Sequence, residues 1–395
     1  MLESTVSLIS SARSSQAGIA RIAVSTVFFV NGALIASWVS RIPAVNERLG
    51  LNKAELGIGL LGMAVGALFA FPIAGWAIAR FGSRIIVPIA LLCMCLALVL
   101  PGLAGSLPAL FAALVVFGAL NGTTDVSMNA QAVEVEKLYQ KPIMSSFHAM
   151  WNLGGLVGSG IGALSAGAGV RPFAHFALVA LVAAIIAAIA SNRLLNVPPT
   201  HATGRVFATP PRALIAIGLL ALCAAIAEGG MADWGGVYLK TSLLTSESFA
   251  AVGYAAFSLA MLAGRLVGDA LKARLGAVML GRSGGLIAAV GLAFALIVGQ
   301  PWASLIGFAC VGWGVSSLFP MAFSAAGNAK GVNQGVALAA VATMGYSGFL
   351  AGPPLIGFLA QATSLRAALW VIVGLSLIIA FGANTLQASE STAPE

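Results

Sequence analysis

The chain has 395 residues, of which 59% are hydrophobic and 8% charged, and its net charge is +8. Soluble domains carry about 25% charged residues, so this composition excludes a soluble globular protein and indicates a chain that crosses a membrane many times. The basic residues stand singly or in pairs between apolar runs, which argues against nucleic-acid binding. Four cysteines lie inside apolar runs, and their spacing predicts neither a metal site nor a disulfide framework.

Apolar runs of about 20 residues, divided at charges and at Pro or Gly, predict membrane-spanning helices. The first six are 19–40, 54–79, 85–103, 108–131, 143–167 and 173–192, and the second six are 213–239, 248–270, 279–299, 302–327, 334–360 and 366–387. Between the two sets, residues 193–212 hold two Pro-Pro pairs and no apolar run, which predicts a linker. We therefore divide the chain into a half at 1–192, this linker, and a half with a short tail at 213–395.

The basic residues predict the orientation. With both termini inside, 14 of them face the cytoplasm and 6 face outward, which satisfies the positive-inside rule. The outward six are Arg41, Arg48, Lys53, Arg171, Lys240 and Arg366.

The two halves repeat each other at an offset of 194 residues. Arg80-Phe-Gly82 follows span two and Arg274-Leu-Gly276 follows span eight, while the Gly-xxx-Gly pair at 154 and 158 in span five recurs at 348 and 352 in span eleven. Two matches in corresponding spans predict parallel internal repeats, as secondary transporters have.

These features together resemble the major facilitator superfamily, whose loop signature is Gly-x-x-x-Asp-Arg-x-Gly-x-Arg. The chain reads Gly75-Trp-Ala-Ile-Ala-Arg-Phe-Gly-Ser-Arg84 after span two, with alanine in place of the aspartate. The resemblance implies an all-α membrane protein with two pseudo-symmetric six-helix bundles, working as a monomer in a bacterial inner membrane without a cofactor. It also implies gating roles for the charged residues of these loops, which are Arg80, Arg84, Arg265, Asp269 and Arg274. More narrowly, Ser146-Phe-His-Ala-Met-Trp-Asn-Leu-Gly-Gly155 and the stretch 228–236 resemble the fucose-permease-like branch.

Span one carries Asn31 near mid-membrane and Trp38 seven residues later, on nearly the same face. We predict that both bind substrate. The alternative for Trp38 is an interfacial belt residue. In the resembled branch, acidic residues of spans one and four are needed for function. Span one carries the neutral Asn31 here, so any proton-carrying residue is expected in another span.

Spans four and five carry the densest polar pattern. Asn121, Asp125 and Asn129 share one helical face, and span four lines the central cavity in the resembled fold. Span five places His148, Trp151 and Asn152 on a neighbouring face. We predict that Asp125 and His148 exchange protons, and that Asn121, Trp151 and Asn152 bind substrate. A helix–helix hydrogen-bond ladder is the alternative for span four, and a purely structural histidine is the alternative for His148.

Span seven contains two acids and a tryptophan between two glycine pairs, at 228–236. Acids persist inside a membrane mostly where they face a cavity or a partner. Glu228 is the deeper acid and is predicted to carry a proton, while Asp233 is predicted to pair with Arg41 as an outer gate. Trp234 is predicted to bind substrate or to fill space.

Span ten adds Trp313 and Ser316, and Pro320 predicts a kink in that helix. Sugars and other polyols stack on tryptophan and bond to Asn and Ser, so we assign these two residues to substrate binding. The alternative for Trp313, as for Trp38 and Trp234, is that the ring only fills space.

The sequence thus predicts a proton-coupled transporter that imports a small polar solute such as a sugar. Its partners are that solute, the proton and the lipid bilayer. No Gly-x-x-x-x-Gly-Lys-Ser/Thr loop is present, so ATP is not the expected energy source. The alternatives are a drug or metabolite exporter that uses proton antiport, and a receptor or enzyme that keeps the fold without transport.

Overall fold

The structure is a computed structural model, and it describes residues 2–139, 143–196, 212–327 and 334–389. Within these ranges all regular structure is helical, which confirms the predicted all-α fold. The helices are α1 (Leu2–Val39), α2 (Ile42–Leu49), α3 (Lys53–Phe81), α4 (Ser83–Ala97), α5 (Leu100–Leu103), α6 (Leu107–Tyr139), α7 (Met144–Gly167), α8 (Pro172–Ser191), α9 (Arg212–Val237), α10 (Glu247–Val298), α11 (Pro301–Val315), α12 (Leu318–Gly327), α13 (Gln334–Ala362), α14 (Leu365–Ala368) and α15 (Trp370–Gly382). A π-helical turn, Tyr238–Ser242, extends α9, and a 3₁₀ segment, Ala383–Ser389, follows α15.

Several predicted boundaries differ from the observed ones. Predicted spans eight and nine form one helical stretch, α10, which turns at Gly276 rather than ending in a loop. Predicted span ten divides into α11 and α12 at Ser316 and Ser317, so the break precedes Pro320. Pro320 then lies in the first turn of α12, where its missing N–H costs no intrahelical hydrogen bond.

Ten helical stretches within the described ranges are long and apolar enough to cross a membrane. The other two predicted spans, five and eleven, are the helices α7 and α13. Both pack on other helices: α7 on α1 and α10, and α13 on α3 and α9.

The backbone repeats the predicted offset of 194 residues. Gly82 and Gly276 share an uncommon conformation, with φ 82° and ψ 148° for the first and φ 76° and ψ 161° for the second. Gly50 and Leu244 share a left-handed conformation, at φ 63° and 55°. The residue that caps the next helix follows two positions later in each half: Asn52 caps α3 and Ser246 caps α10.

The repeated glycines of spans five and eleven make equivalent close contacts. A Cβ atom on Gly154 would lie 2.0 Å from the carbonyl oxygen of Phe29 in α1. A Cβ atom on Gly348 would lie 2.6 Å from the carbonyl oxygen of Leu222 in α9. Backbone therefore meets backbone where spans one and five, and spans seven and eleven, cross. The exact bounds of the two halves stay a prediction, since 197–211 of the linker lies outside the described residues.

Candidate functional site

We call the end of the bundle that carries Arg41 and Glu247 the outer end, following the predicted orientation. Arg41 lies in the turn between α1 and α2 and is 1% exposed. Its Nε atom is 2.7 Å from Oε1 of Glu247 in the first turn of α10, and its Nη2 donates to the Val170 carbonyl at 2.7 Å. The Glu247 contact is a close ion pair without hydrogen-bond alignment, because Oε1 has no hydrogen-bond partner. We call this ion pair the outer latch.

The predicted Arg41–Asp233 pair is wrong. Arg41 pairs with Glu247 because Glu247 starts its helix at the outer surface, whereas Asp233 lies within α9, deeper in the bundle. A second ion pair, Lys240–Glu47 at 3.4 Å, also joins the two halves at the outer end. Within the described residues, both ion pairs between the halves are at this end.

Two glycines form a close seam between the halves beside the outer latch. A Cβ atom on Gly57 in α3 would lie 2.9 Å from the Pro353 carbonyl oxygen and 3.2 Å from the Cα atom of Gly357 in α13. A Cβ atom on Gly357 would lie 2.8 Å from the Lys53 carbonyl oxygen. Nearby, the Lys53 N–H donates to the Gln361 side chain at 3.2 Å. The outer end is therefore closed by backbone contact as well as by charge.

Deeper in the bundle, three residues that were predicted separately to bind substrate, from spans one, four and five, contact one another. The amide nitrogen of Asn31 donates to Asn121 Oδ1 at 3.0 Å and approaches the Met94 sulfur at 3.4 Å. The indole nitrogen of Trp151 donates to Asn31 Oδ1 at 2.7 Å. Asn31 is 2% exposed, while Asn121 and Trp151 are partly exposed. Asn31 thus orients the ring of Trp151 through its amide oxygen, and its amide nitrogen is directed to Asn121 and Met94.

Asp125 lies one turn further along α6 and is also partly exposed. Asn129 donates to its carboxylate at 3.2 Å and to its backbone carbonyl at 2.8 Å. Across the interface between the halves, Tyr346 of α13 is within electrostatic range of Asp125 and, more weakly, of Glu228. The Tyr346 ring is 5.1 Å from the ring of Phe71 in α3. Asp125 therefore faces the central region from the first half, and Tyr346 faces it from the second.

Glu228 of α9 faces Arg265 of α10, with 3.8 Å between Oε1 and Nη2. Both side chains are about one-sixth exposed, at 15% and 16%. Arg265 was predicted to gate the inner end, whereas its long side chain reaches towards Glu228 within the second half. Tyr254 lies within electrostatic range of Glu228 and Asp233. Its side chain is hydrogen-bonded to Ser258.

The predicted Asp125–His148 pair is not formed. The His148 ring stacks edge-on against Phe28 at 5.3 Å, and the charged group that acts on it is Arg265. His148 therefore lies closer to the Glu228–Arg265 pair than the sequence suggests. Asn152, 1% exposed, donates to the His148 backbone carbonyl at 3.1 Å, so its amide does not line the central region as predicted.

Three other predicted substrate residues are also buried in this conformation. Trp38 is 1% exposed and packs against Phe176, so it neither lines a cavity nor faces lipid as a belt residue. Trp234 is 0% exposed beside Gly357, in the closed outer end. Ser316 is 3% exposed, and its hydroxyl donates to the Trp313 carbonyl at 2.7 Å. The helix break leaves that carbonyl without the backbone N–H that would bond to it inside a continuous helix. Trp313 remains partly exposed.

The predicted gate at the inner end is not assembled among the described residues. Arg80, Arg84 and Arg274 are exposed and form no ion pair there, and the side chain of Asp269 lies outside the described part. The described side chains also bring together no group of three His, Cys, Asp or Glu that could hold a metal ion.

The glycine pairs of span seven lie inside one continuous helix, α9, which runs from Arg212 to Val237. Gly230 and Gly235 leave room for neighbours, since a Cβ atom on the first would lie 2.8 Å from Ile356 and one on the second 3.2 Å from Phe308. Glu228 and Asp233 therefore point in different directions, as their spacing predicts.

Sequence reasoning missed Glu247, Tyr254, Tyr346 and His175. Glu247 is the first residue of a helix that faces a basic residue across the halves, and no sequence pattern links it to Arg41. The two tyrosines gave a usable signal, because a phenol inside a membrane span needs a polar neighbour.

The family profile of the Major Facilitator Superfamily matches residues 21–331. An uncharacterised MFS-type transporter of Yersinia pestis is 36% identical over 372 residues, which is 94% of this chain and 97% of that protein. The membrane protein MosC of Rhizobium meliloti is 34% identical over 94% of this chain and 91% of its own length.

Solved structures show the same fold. A mutant of the nucleoside transporter NupG superposes with a TM-score of 0.74 at 13% identity, over 92% of this chain and 99% of that one. A bacterial homologue of the human lysosomal transporter Spinster, inward-facing and occupied, gives a TM-score of 0.68 at 16% identity, over 94% of this chain and 96% of that one. The narrower fucose-permease-like resemblance stays a prediction. The profile and the relatives show that this chain is a multi-pass membrane transporter rather than an enzyme, and that it belongs to the major facilitator superfamily.

Proposed function

We propose that the protein imports a small, uncharged polar solute such as a sugar together with a proton. It would work as a monomer in the bacterial inner membrane, with both termini in the cytoplasm. The observation that carries this proposal is a central region in which three acids, Asp125, Glu228 and Asp233, are accompanied by one arginine, Arg265.

The excess of acids supports proton coupling. An isolated carboxylate in a membrane is costly, and it persists where it can be paired or protonated. Arg265 balances one carboxylate, so a proton is the simplest way to neutralise another during the cycle. Glu228 is our first candidate, because it is only loosely paired at 3.8 Å and can exchange Arg265 for a proton. Asp125 is the second candidate, and its carboxylate is held by Asn129 rather than by a cation.

The cluster of Asn31, Asn121 and Trp151 supports the substrate class. Trp151 offers a ring face that its bond to Asn31 keeps in one orientation. Asn121 accepts from Asn31, so its own amide N–H groups are directed elsewhere and can bind hydroxyl groups. A flat aromatic ring beside amide donors suits a polyhydroxylated ring better than a charged ligand.

Alternating access follows from the closed outer end. The outer latch and the Gly57–Gly357 seam hold the halves together there, whereas the inner arginines are exposed. We infer that the halves rock about the central region, breaking the latch and the seam when the outer end opens.

Uptake measurements test the proposal. Right-side-out vesicles with an imposed inward proton gradient are given a panel of labelled sugars, polyols, nucleosides and amino acids. We expect uptake of one neutral class that collapses when the proton gradient is dissipated. Uptake seen only in inside-out vesicles would instead identify an exporter by proton antiport. Saturable binding without movement under any gradient would identify a receptor.

Carboxamide substitutions locate the proton. Glu228→Gln is expected to abolish gradient-driven uptake while retaining substrate exchange, because a neutral side chain there cannot release a proton. Asp125→Asn is tested in parallel. Glu134→Gln is the matched control, since Glu134 lies on the same helix as Asp125 but pairs with Lys137 at the surface. Full coupled uptake in both of the first two variants would contradict the assignment.

A further inference from the structure

His175 is a buried titratable residue that the proposed transport cycle does not use. It lies in the first turn of α8, where its backbone N–H donates to the Arg171 carbonyl at 3.1 Å. The side chain is 1% exposed, and neither ring nitrogen has a hydrogen-bond partner. Its ring packs at 5.5 Å from the ring of Phe176. A histidine so enclosed is neutral in this conformation, since a charged imidazolium would lack an acceptor.

His175 lies beside the outer latch. Arg41 donates to the carbonyl of Val170, in the short turn that leads into α8, and its charge acts on the imidazole. A methyl group on Gly162 of α7 would contact both Ser40 Oγ, at 2.0 Å, and His175 Cε1, at 3.6 Å. Ser40 immediately precedes Arg41, so the histidine and the latch share one small buried space.

The charged groups around His175 among the described residues are mostly basic. Arg41 faces it from the turn after α1, and Gly162 of α7 lies against it. Arg48 of α2 donates to carbonyls of α5, whose Gly102 packs against Phe173 and Phe176. Arg171 on its own segment is exposed, and Glu247 of α10 pairs with Arg41.

Three effects therefore oppose a proton on His175 while the outer end is closed. The imidazolium would have no acceptor, it would stand beside the guanidinium of Arg41, and it would lie at a helix N-terminus, where cations are unfavourable. Opening the outer end admits water, which gives the imidazolium a hydrogen-bond acceptor and screens the charge of Arg41, which stays beside His175 in the same half. A ligand that binds one of two states better shifts the equilibrium towards that state.

We propose that His175 is a proton-binding site that controls the outer latch, so that external protons favour the open outer end. The proton comes from the outside solution, binds an imidazole nitrogen in the open state, and returns to that solution before the latch closes again. This inference rests on the proposed alternating access but not on the identity of the solute or of the coupling acid. In a proton-driven importer the proton gradient makes the outside more acidic. Such a site would then favour the outward-open state when the gradient is present.

A distance measurement across the outer end tests this proposal. Spin labels are placed at Gly105→Cys and Ala362→Cys, two exposed outer positions on different halves, with the four native cysteines replaced by alanine. The protein is reconstituted in lipid nanodiscs without substrate, and the distance distribution is recorded at pH 7.5 and 5.5. We expect the ratio of open to closed outer ends to rise about tenfold, as one histidine proton taken up only in the open state requires.

Three variants assign the effect. His175→Gln is expected to remove the response to pH, whereas His201→Gln, in the predicted cytoplasmic linker, should respond like the wild type. Glu247→Gln should be open at both pH values, because it removes the latch itself.

Either of two results would overturn the proposal: a wild-type distribution that is the same at both pH values, or an unchanged response in His175→Gln. If His175→Gln does not fold, His175→Asn takes its place, and the wild-type comparison needs no variant. Failure of the proposed import would be seen separately, because a chain that transports nothing in vesicles can still show the distance change.

Discussion

The contact between Gly154 and α1 gives a quantitative test of how the first half is packed. Substituting alanine places a methyl carbon 2.0 Å from the Phe29 carbonyl oxygen, 2.8 Å from its carbon and 3.0 Å from the Ala33 nitrogen. All three are backbone atoms, so no side chain can rotate away. Ordinary contacts of this kind begin at 3.4 Å, so α1 and α7 must separate by more than 1 Å.

Overpacking of this size in a well-packed interior costs about 1–3 kcal/mol. Helix propensity acts in the opposite direction, because alanine is favoured over glycine by about 0.5–1 kcal/mol inside a helix. The clash is with fixed backbone, so we expect Gly154→Ala to lower the free energy of unfolding by about 2 kcal/mol. For a domain of 150–250 residues that corresponds to a melting temperature lower by roughly 4–8 °C.

Gly160 is the matched control on the same helix. A methyl group there has nothing within 4 Å, so Gly160→Ala gains helix propensity without a clash. The melting temperature of both variants is measured in detergent under the same conditions. It is the temperature at which the monodisperse size-exclusion peak is lost. The reasoning is refuted if Gly154→Ala melts with the wild type, or if Gly160→Ala loses as much stability as Gly154→Ala.

Two further substitutions probe the outer loop and the central cluster. Leu244→Gly should raise the free energy of unfolding by about 1 kcal/mol, since the leucine adopts a left-handed conformation at the position where the first half has Gly50; an unchanged melting temperature would contradict this. Asn31→Ala should weaken substrate binding severalfold, because Trp151 loses the acceptor that orients its ring, and Trp38→Phe should leave binding unchanged. A direct binding titration separates the two, and equal losses in both would refute the distinction between the tryptophans.

The fold was largely predictable because it depends on patterns that recur along the chain. The apolar runs predicted the helices, and the offset of 194 residues predicted matching turns that the backbone then shows at Gly82 and Gly276. Helix ends were less predictable. The turn at Gly276 continues straight into the next helix, and the break at Ser316 comes before the proline that was expected to cause it.

The candidate site was predictable as a set of polar residues within the spans, whereas the partners of those residues were not. Asn31, Asn121 and Trp151 were each identified from the sequence. The structure adds the hydrogen bonds between them, because polar side chains of neighbouring spans pair with one another in an apolar surrounding. The partners of Arg41 and Arg265 could not be deduced in the same way. Long basic side chains reach several ångströms from their backbone, so their depth along the helix does not fix the depth of their charge.

The Gly57–Gly357 seam has a consequence for electrical insulation. The membrane potential is worth about 2.3 kcal/mol per elementary charge for each 100 mV, and a continuous file of water through a transporter would let protons dissipate it. A seal made of flexible side chains can open transiently as rotamers change. In this seam, backbone atoms of α3 and α13 touch directly, and a methyl group at either glycine would already be too large. The contact between α3 and α13 is itself made by backbone, so closure at this contact does not depend on a side chain changing its rotamer.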